Sequence, residues 1–164
     1  MILIRKTLYA LVALCLLSAC TSEESSEMDT LANLEIPLEV ENNIERAEAV
    51  LDVLNEYRTS LGLSSLEWDT DSEHLAVLHS NYMVDQNVAS HDNFYERAAI
   101  LQENGADLVS ENVAYGFMDA QSVLQGWLNS PAHKQAIEGD YTHTGIGIVL
   151  TETGIPFYTQ LFIR

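Results

Sequence analysis

Three short stretches of the chain carry ionisable side chains about twenty residues apart: Ser90-His91, Ser110-Glu111-Asn112 and Ser130-Pro131-Ala132-His133. Two histidines and one glutamate are a sufficient ligand set for a divalent metal that keeps one position for water. A metal-bound water of lowered pKa could hydrolyse a bond. The same groups could instead hold zinc as a structural or ligand-binding element. Spacing alone decides neither, because the residues fall on separate elements. Ser90 and Ser110, beside His91 and Glu111, also invite a serine-hydrolase reading. The chain has no Gly-x-Ser-x-Gly elbow, the turn that presents such a nucleophile in one large hydrolase class.

The elements around these stretches follow from periodicity and punctuation. Ile44, Ala47, Leu51, Leu54 and Leu61 form one apolar stripe, predicting a helix over 44–61. Asn42 or Asn43 can cap its start and Gly62 can end it. Leu66 and Trp68 anchor an extended link. Thr70-x-x-Glu73 reads as a capping box opening a second helix with Leu75, Leu78, His79, Tyr82 and Met83 inward. His74 and His79 are five apart, so they sit about 140° apart around the axis and cannot share a metal as an i, i+4 pair. His79 reads as a hydrogen-bonded core histidine. The acidic cluster Asp69, Asp71 and Glu73 lacks the glycine and distal glutamate of an EF-hand loop; it suits a helix N-terminus.

Asn87–Asn93 is then a loop carrying His91, and Phe94–Glu103 a short helix. Val109–Ala114 is an extended run carrying Glu111. Asp119 caps a helix reaching Asn129, and Ser130-Pro131 restarts one that places His133 in its first turn. Residues 145–150 and 157–162 read as strands joined by a turn at Thr153-Gly154. Helices first and strands last predict an α+β fold, with helices packed on a small antiparallel sheet.

Residues 1–19 read as an export signal: Arg5 and Lys6 precede a short apolar run from Leu8 to Leu17, too short for a comfortable membrane span. Leu17-Ser18-Ala19-Cys20 looks like a bacterial lipobox, which makes Cys20 the lipidation site and membrane anchor. Residues 20–42 form an acidic tether, and 43–164 the domain. With Cys15 lost and Cys20 lipidated, no thiol remains for a disulfide or a nucleophile. The chain carries 25 acidic against 7 basic residues, for a formal net charge of −18. Nucleic acid, which is bound through Lys and Arg, is thereby an unsuitable partner. About 120 residues after the tether suffice for one monomeric domain with one core.

Seven segments resemble, in order, the CAP superfamily (SCP/TAPS) in its short bacterial branch: Leu54-Asn55-Glu56-Tyr57-Arg58, Leu66-Glu67-Trp68-Asp69, Ser90-His91, Ser110-Glu111-Asn112-Val113-Ala114, Trp127-Leu128-Asn129-Ser130-Pro131-Ala132-His133, Gly145-Ile146-Gly147 and Tyr158-Thr159-Gln160-Leu161-Phe162. The resemblance implies an α-β-α sandwich with a cleft lined by two histidines and two glutamates, and zinc in some members. His91, Glu111 and His133 match the first histidine, one glutamate and the second histidine. The other glutamate is unmatched, since Ser130 stands near its place, and His143 is the candidate substitute. Asn112 is expected to be a buried structural amide. Three functional readings follow. One is a lipid-anchored, extracytoplasmic binding module for a lipid or protein ligand with a metal-capable cleft. Another is a metal-dependent envelope hydrolase. The third is an interaction protein with a vestigial cleft. In a two-membrane host, Thr21 after the cysteine points to outer-membrane sorting.

Overall fold

A computed structural model describes residues 40–164. The leader, Cys20 and the tether up to residue 39 lie outside the described residues. The order is α1 (Ile44–Ser60), β1 (Glu67–Trp68), α2 (Thr70–Gln86), α3 (Phe94–Glu103), β2 (Val109–Tyr115), α4 (Ala120–Leu128), α5 (Pro131–Ile137), β3 (His143–Leu150) and β4 (Pro156–Ile163). The strands form one sheet in the order β1-β3-β4-β2, so β2 lies at an edge.

Alternation along the strands divides two helical layers. Ile146, Ile148, Tyr158, Phe162 and Ala114 are buried with Ala47, Val50 and Leu54 of α1, Trp127 of α4 and Ile137 of α5. The intervening positions face the other way: Leu161 meets Leu75 and Ala76 of α2 and Leu101 of α3, while Val113 and Phe157 meet Met83. The architecture is thus the α+β sandwich expected, helices on both faces. The sheet is mixed rather than purely antiparallel, because the link after α1 joins it as β1, parallel to β3. Asn55 fixes that link by donating to Leu66 O and accepting from Leu66 N–H, at 3.0 and 2.8 Å.

Two local readings are corrected. Asp69, not Thr70, caps α2: its carboxylate accepts from Ser72 N–H at 2.7 Å, and Glu73 instead accepts from Trp68 Nε1–H at 2.8 Å. The ordered domain also begins before residue 43. Asn42 donates to Ile146 O and accepts from Ile148 N–H, both at 2.9 Å, so its amide closes the outer edge of β3.

The α2 layer lies directly on β3 at two glycines. A Cβ on Gly145 would fall on the backbone of Ser72 and Glu73, and one on Gly147 on that of Ala76 and Val77. No flexible side chain is available to move aside. Gly145→Ala and Gly147→Ala should therefore each destabilise the domain by about 3 kcal/mol, the upper range for overpacking. Urea unfolding midpoints measure this, and a wild-type midpoint in either variant would refute the close approach.

Candidate functional site

Edge strand β2 brings the two layers to one place. Glu111 points to the α2–α3 side and Asn112 to the α1–α4–α5 side, a consequence of the two-residue period of a strand. His91 comes from the α2–α3 loop and His133 from α5, and their rings face each other with centroids 6.4 Å apart.

The His91 loop is tightly tied. Asn87 and Asn93, at φ +50° and +57°, bracket it with left-handed backbone, which asparagine tolerates better than most residues. His79 is 3% exposed. Its Nε2–H donates to Ser90 O at 2.8 Å, so it is the core histidine expected. Tyr82 O–H donates to Asp92 at 3.1 Å. His91 Nδ1–H donates to Glu111 Oε1 at 2.9 Å; its side chain is 51% exposed and that of Glu111 1%. The other carboxylate oxygen belongs to Arg97. Its Nε–H donates to Oε2 at 2.8 Å, and Nη2 lies 2.7 Å from the same oxygen as an ion-pair contact. Arg97 Nη1 also donates to Asp92 O at 2.8 Å, gripping the loop backbone next to His91.

His133 is held from the opposite layer. Asn112, fully buried, donates from Nδ2 to His133 O at 3.1 Å. Buried Arg58 secures the far end of α5 by donating to Ile137 O and Gly139 O at 2.6 and 3.0 Å. Tyr57 O–H adds a bond to Glu138 at 2.6 Å. Burial lowers the His133 pKa, and the neighbouring His91 lowers it further. Near neutral pH His133 is therefore an uncharged imidazole, the form that can donate an electron pair to a metal.

His143 does not join this group. It opens β3 beside β1, where Nδ1 bonds Thr142 Oγ1 at 2.8 Å and Nε2 lies 3.6 Å from Glu67. It lines a separate 260 Å³ depression with Asp69, Asp71 and Asn104. The β1–β3 pairing, invisible in the local sequence, carries it there. Ser130 stands at the N-cap of α5 without a side-chain capping bond.

The donor set decides what kind of metal site fits. Both oxygens of Glu111 are already engaged, by His91 and Arg97, and no group of three His, Cys, Asp or Glu among the described residues is arranged to hold an ion. The two imidazoles remain as candidate donors. With Zn–N about 2.0–2.1 Å, rings sharing an ion have centroids roughly 5–6 Å apart, slightly less than the 6.4 Å found.

Sequence reasoning missed Arg97. It is one of seven Lys and Arg residues in a strongly acidic chain, and it sits at a helical position that turns inward. Both are weak signals, but they were available.

Burial also lowers the His79 pKa, partly opposed by the bond to Ser90 O; Arg97 adds a smaller lowering. A histidine depressed in the folded state takes up more protons when unfolded. Its stabilising contribution is full above the unfolded value of about 6.5 and is lost as pH falls below it. Between about pH 7.5 and about pH 5 the wild-type unfolding midpoint should drop more steeply than that of His79→Gln. Equal slopes would show that His79 does not contribute.

The family model described as "CAP: Cysteine-rich secretory protein family" matches residues 51–162. The uncharacterized membrane protein YlbC of Bacillus subtilis (strain 168) is 36% identical over 120 residues, 70% of this chain and 33% of that protein. The chain thus spans about a third of this curated relative. Among solved structures, an outer surface protein of Borrelia burgdorferi is similar at TM-score 0.66 and 25% identity, over 73% of this chain and 92% of that one. An extracellular protein of Bacillus anthracis containing an SCP domain is similar at TM-score 0.63 and 33% identity, over 74% and 41%.

Proposed function

The chain belongs to the CAP, or cysteine-rich secretory protein, family, and from that premise we propose that it is an extracytoplasmic binding module. Its ligand site is the cleft between His91 and His133. Lipidated Cys20 would attach it to the envelope membrane, the outer one in a two-membrane host. The names of similar proteins, an outer surface protein, an extracellular protein and a membrane protein, support an envelope location. No helix among the described residues is long and apolar enough to cross a membrane.

One observation carries binding over turnover: both oxygens of Glu111 are engaged in a buried network with His91 and Arg97. A carboxylate so placed orients its neighbours. Two imidazoles remain to face a ligand. They would hold a divalent metal such as zinc, with water or a ligand group completing its shell. When bound, the ion would supply Lewis acidity toward an oxygen-bearing ligand.

Calorimetric zinc titration of the full-length chain in detergent, beside a His91→Ala/His133→Ala variant, tests the metal part. Saturable binding in the wild type is expected, with loss in the variant and unchanged circular dichroism. A folded wild type that binds no zinc would refute it and leave a lipid or protein ligand held without metal.

A further inference from the structure

We infer that Arg97 is a positioning residue that fixes the tautomer of His91 through Glu111 and so selects Nε2 as its ligand-facing atom. This rests on the binding reading of the cleft. A guanidinium has only hydrogen-bond donors. Arg97 places Nε–H on Glu111 Oε2 at 2.8 Å, with Nη2 2.7 Å from the same atom. A carboxylate paired in this way only accepts. His91 Nδ1, 2.9 Å from Oε1, must then be the protonated nitrogen. In the neutral ring the proton can occupy only one nitrogen, so Nε2 keeps its lone pair.

The same guanidinium bonds Asp92 O at 2.8 Å. One buried side chain therefore sets the proton position of His91 and the backbone that aims it. Arg97 is 7% exposed and Glu111 8%, so water is poorly placed to substitute for either partner.

Glu111→Gln makes this testable. The carboxamide must turn its oxygen to Arg97, which can only donate. Its NH₂ then faces His91, whose Nδ1 must accept. The proton moves to Nε2, the electron pair wanted by a metal is lost, and zinc affinity should fall 10- to 100-fold, as when partners behind metal-bound histidines are removed.

The experiment is ¹⁵N–¹H correlation of the histidine rings in ¹⁵N-histidine-labelled full-length chain, in detergent and without metal, at a pH where imidazoles are neutral. Wild-type His91 should show the Nδ1–H pattern, and Glu111→Gln the Nε2–H pattern, with His74 and His143 unmoved. Adding Arg97→Gln to Glu111→Gln should free the carboxamide to turn and return His91 to a mixture of the two patterns, and Arg97→Lys alone should retain the wild-type pattern. An Nε2–H signature for wild-type His91 would overturn the inference even if no variant folds, as would an unmoved His91 in folded Glu111→Gln. Because the readout needs no metal, it stands apart from the zinc titration. Nδ1–H in a protein that binds no zinc rejects the metal site and keeps the lock; Nε2–H in one that binds zinc does the reverse.

Discussion

Helix α2 lies on the sheet with no side chain between them at Gly145 and Gly147, and the position of the His91 loop descends from that contact. Close approach lets Leu75, Ala76 and Met83 reach the β4 and β2 side chains beneath them. It also sets where α2 ends, and therefore where the Asn87–Asn93 loop begins. A side chain at either glycine would lift the helix and carry the His91 loop away from β2. The pairing of β2 with β4 is continuous over seven residues, Val109↔Ile163 to Tyr115↔Phe157. That unbroken register keeps Glu111 under the α2–α3 layer and Asn112 under the other, since a slip of one residue would exchange their faces.

Each cleft histidine is steadied by a buried arginine from its own layer. Arg58 binds carbonyls at Ser64, Ile137, Gly139 and Tyr141 and so fixes the end of α5, which carries His133. Arg97 binds Glu111 and Asp92 O and fixes the loop that carries His91. Arginine suits both tasks because its planar fork reaches several acceptors at once. The difference lies in the partner. Among the described residues Arg58 hydrogen-bonds backbone carbonyls alone, whereas Arg97 is answered by a carboxylate that continues to an imidazole.

Periodicity and caps made nearly every element legible. Asn43, Asp119 and the Ser130-Pro131 pair mark helix starts, and the run 145–150 marks most of β3. What could not be read were relations between distant residues. The parallel seating of β1 on β3 gives no local pattern, and it is what removes His143 from the cleft. The capping box assigned to Thr70 failed because Asp69, one residue earlier, is an equally good cap and Glu73 has Trp68 and Asn42 to satisfy. His91, Glu111 and His133 were legible as neighbours through family resemblance. Their division of labour was not, because it depends on which oxygen of Glu111 meets Arg97.

That division bears on why a charge pair is buried here at all. Removing a guanidinium and a carboxylate from water costs several kcal/mol per ion, and apolar residues of similar size often stabilise a core as well or better. Stability alone therefore gives no reason for Arg97 and Glu111 beneath β2. The domain fills comparable positions on the same face with apolar groups: Leu161 beside Glu111 on β4, and Val113 two residues along β2. An apolar pair would pack there but could not orient an imidazole. The pair occupies the one point where the sheet face meets His91, and its far end closes on that histidine at hydrogen-bonding distance. A desolvated carboxylate is a strong and directional acceptor because water does not compete for it. The energetic cost of burial is thus the condition for the property the cleft uses, a histidine held in one orientation at the protein surface.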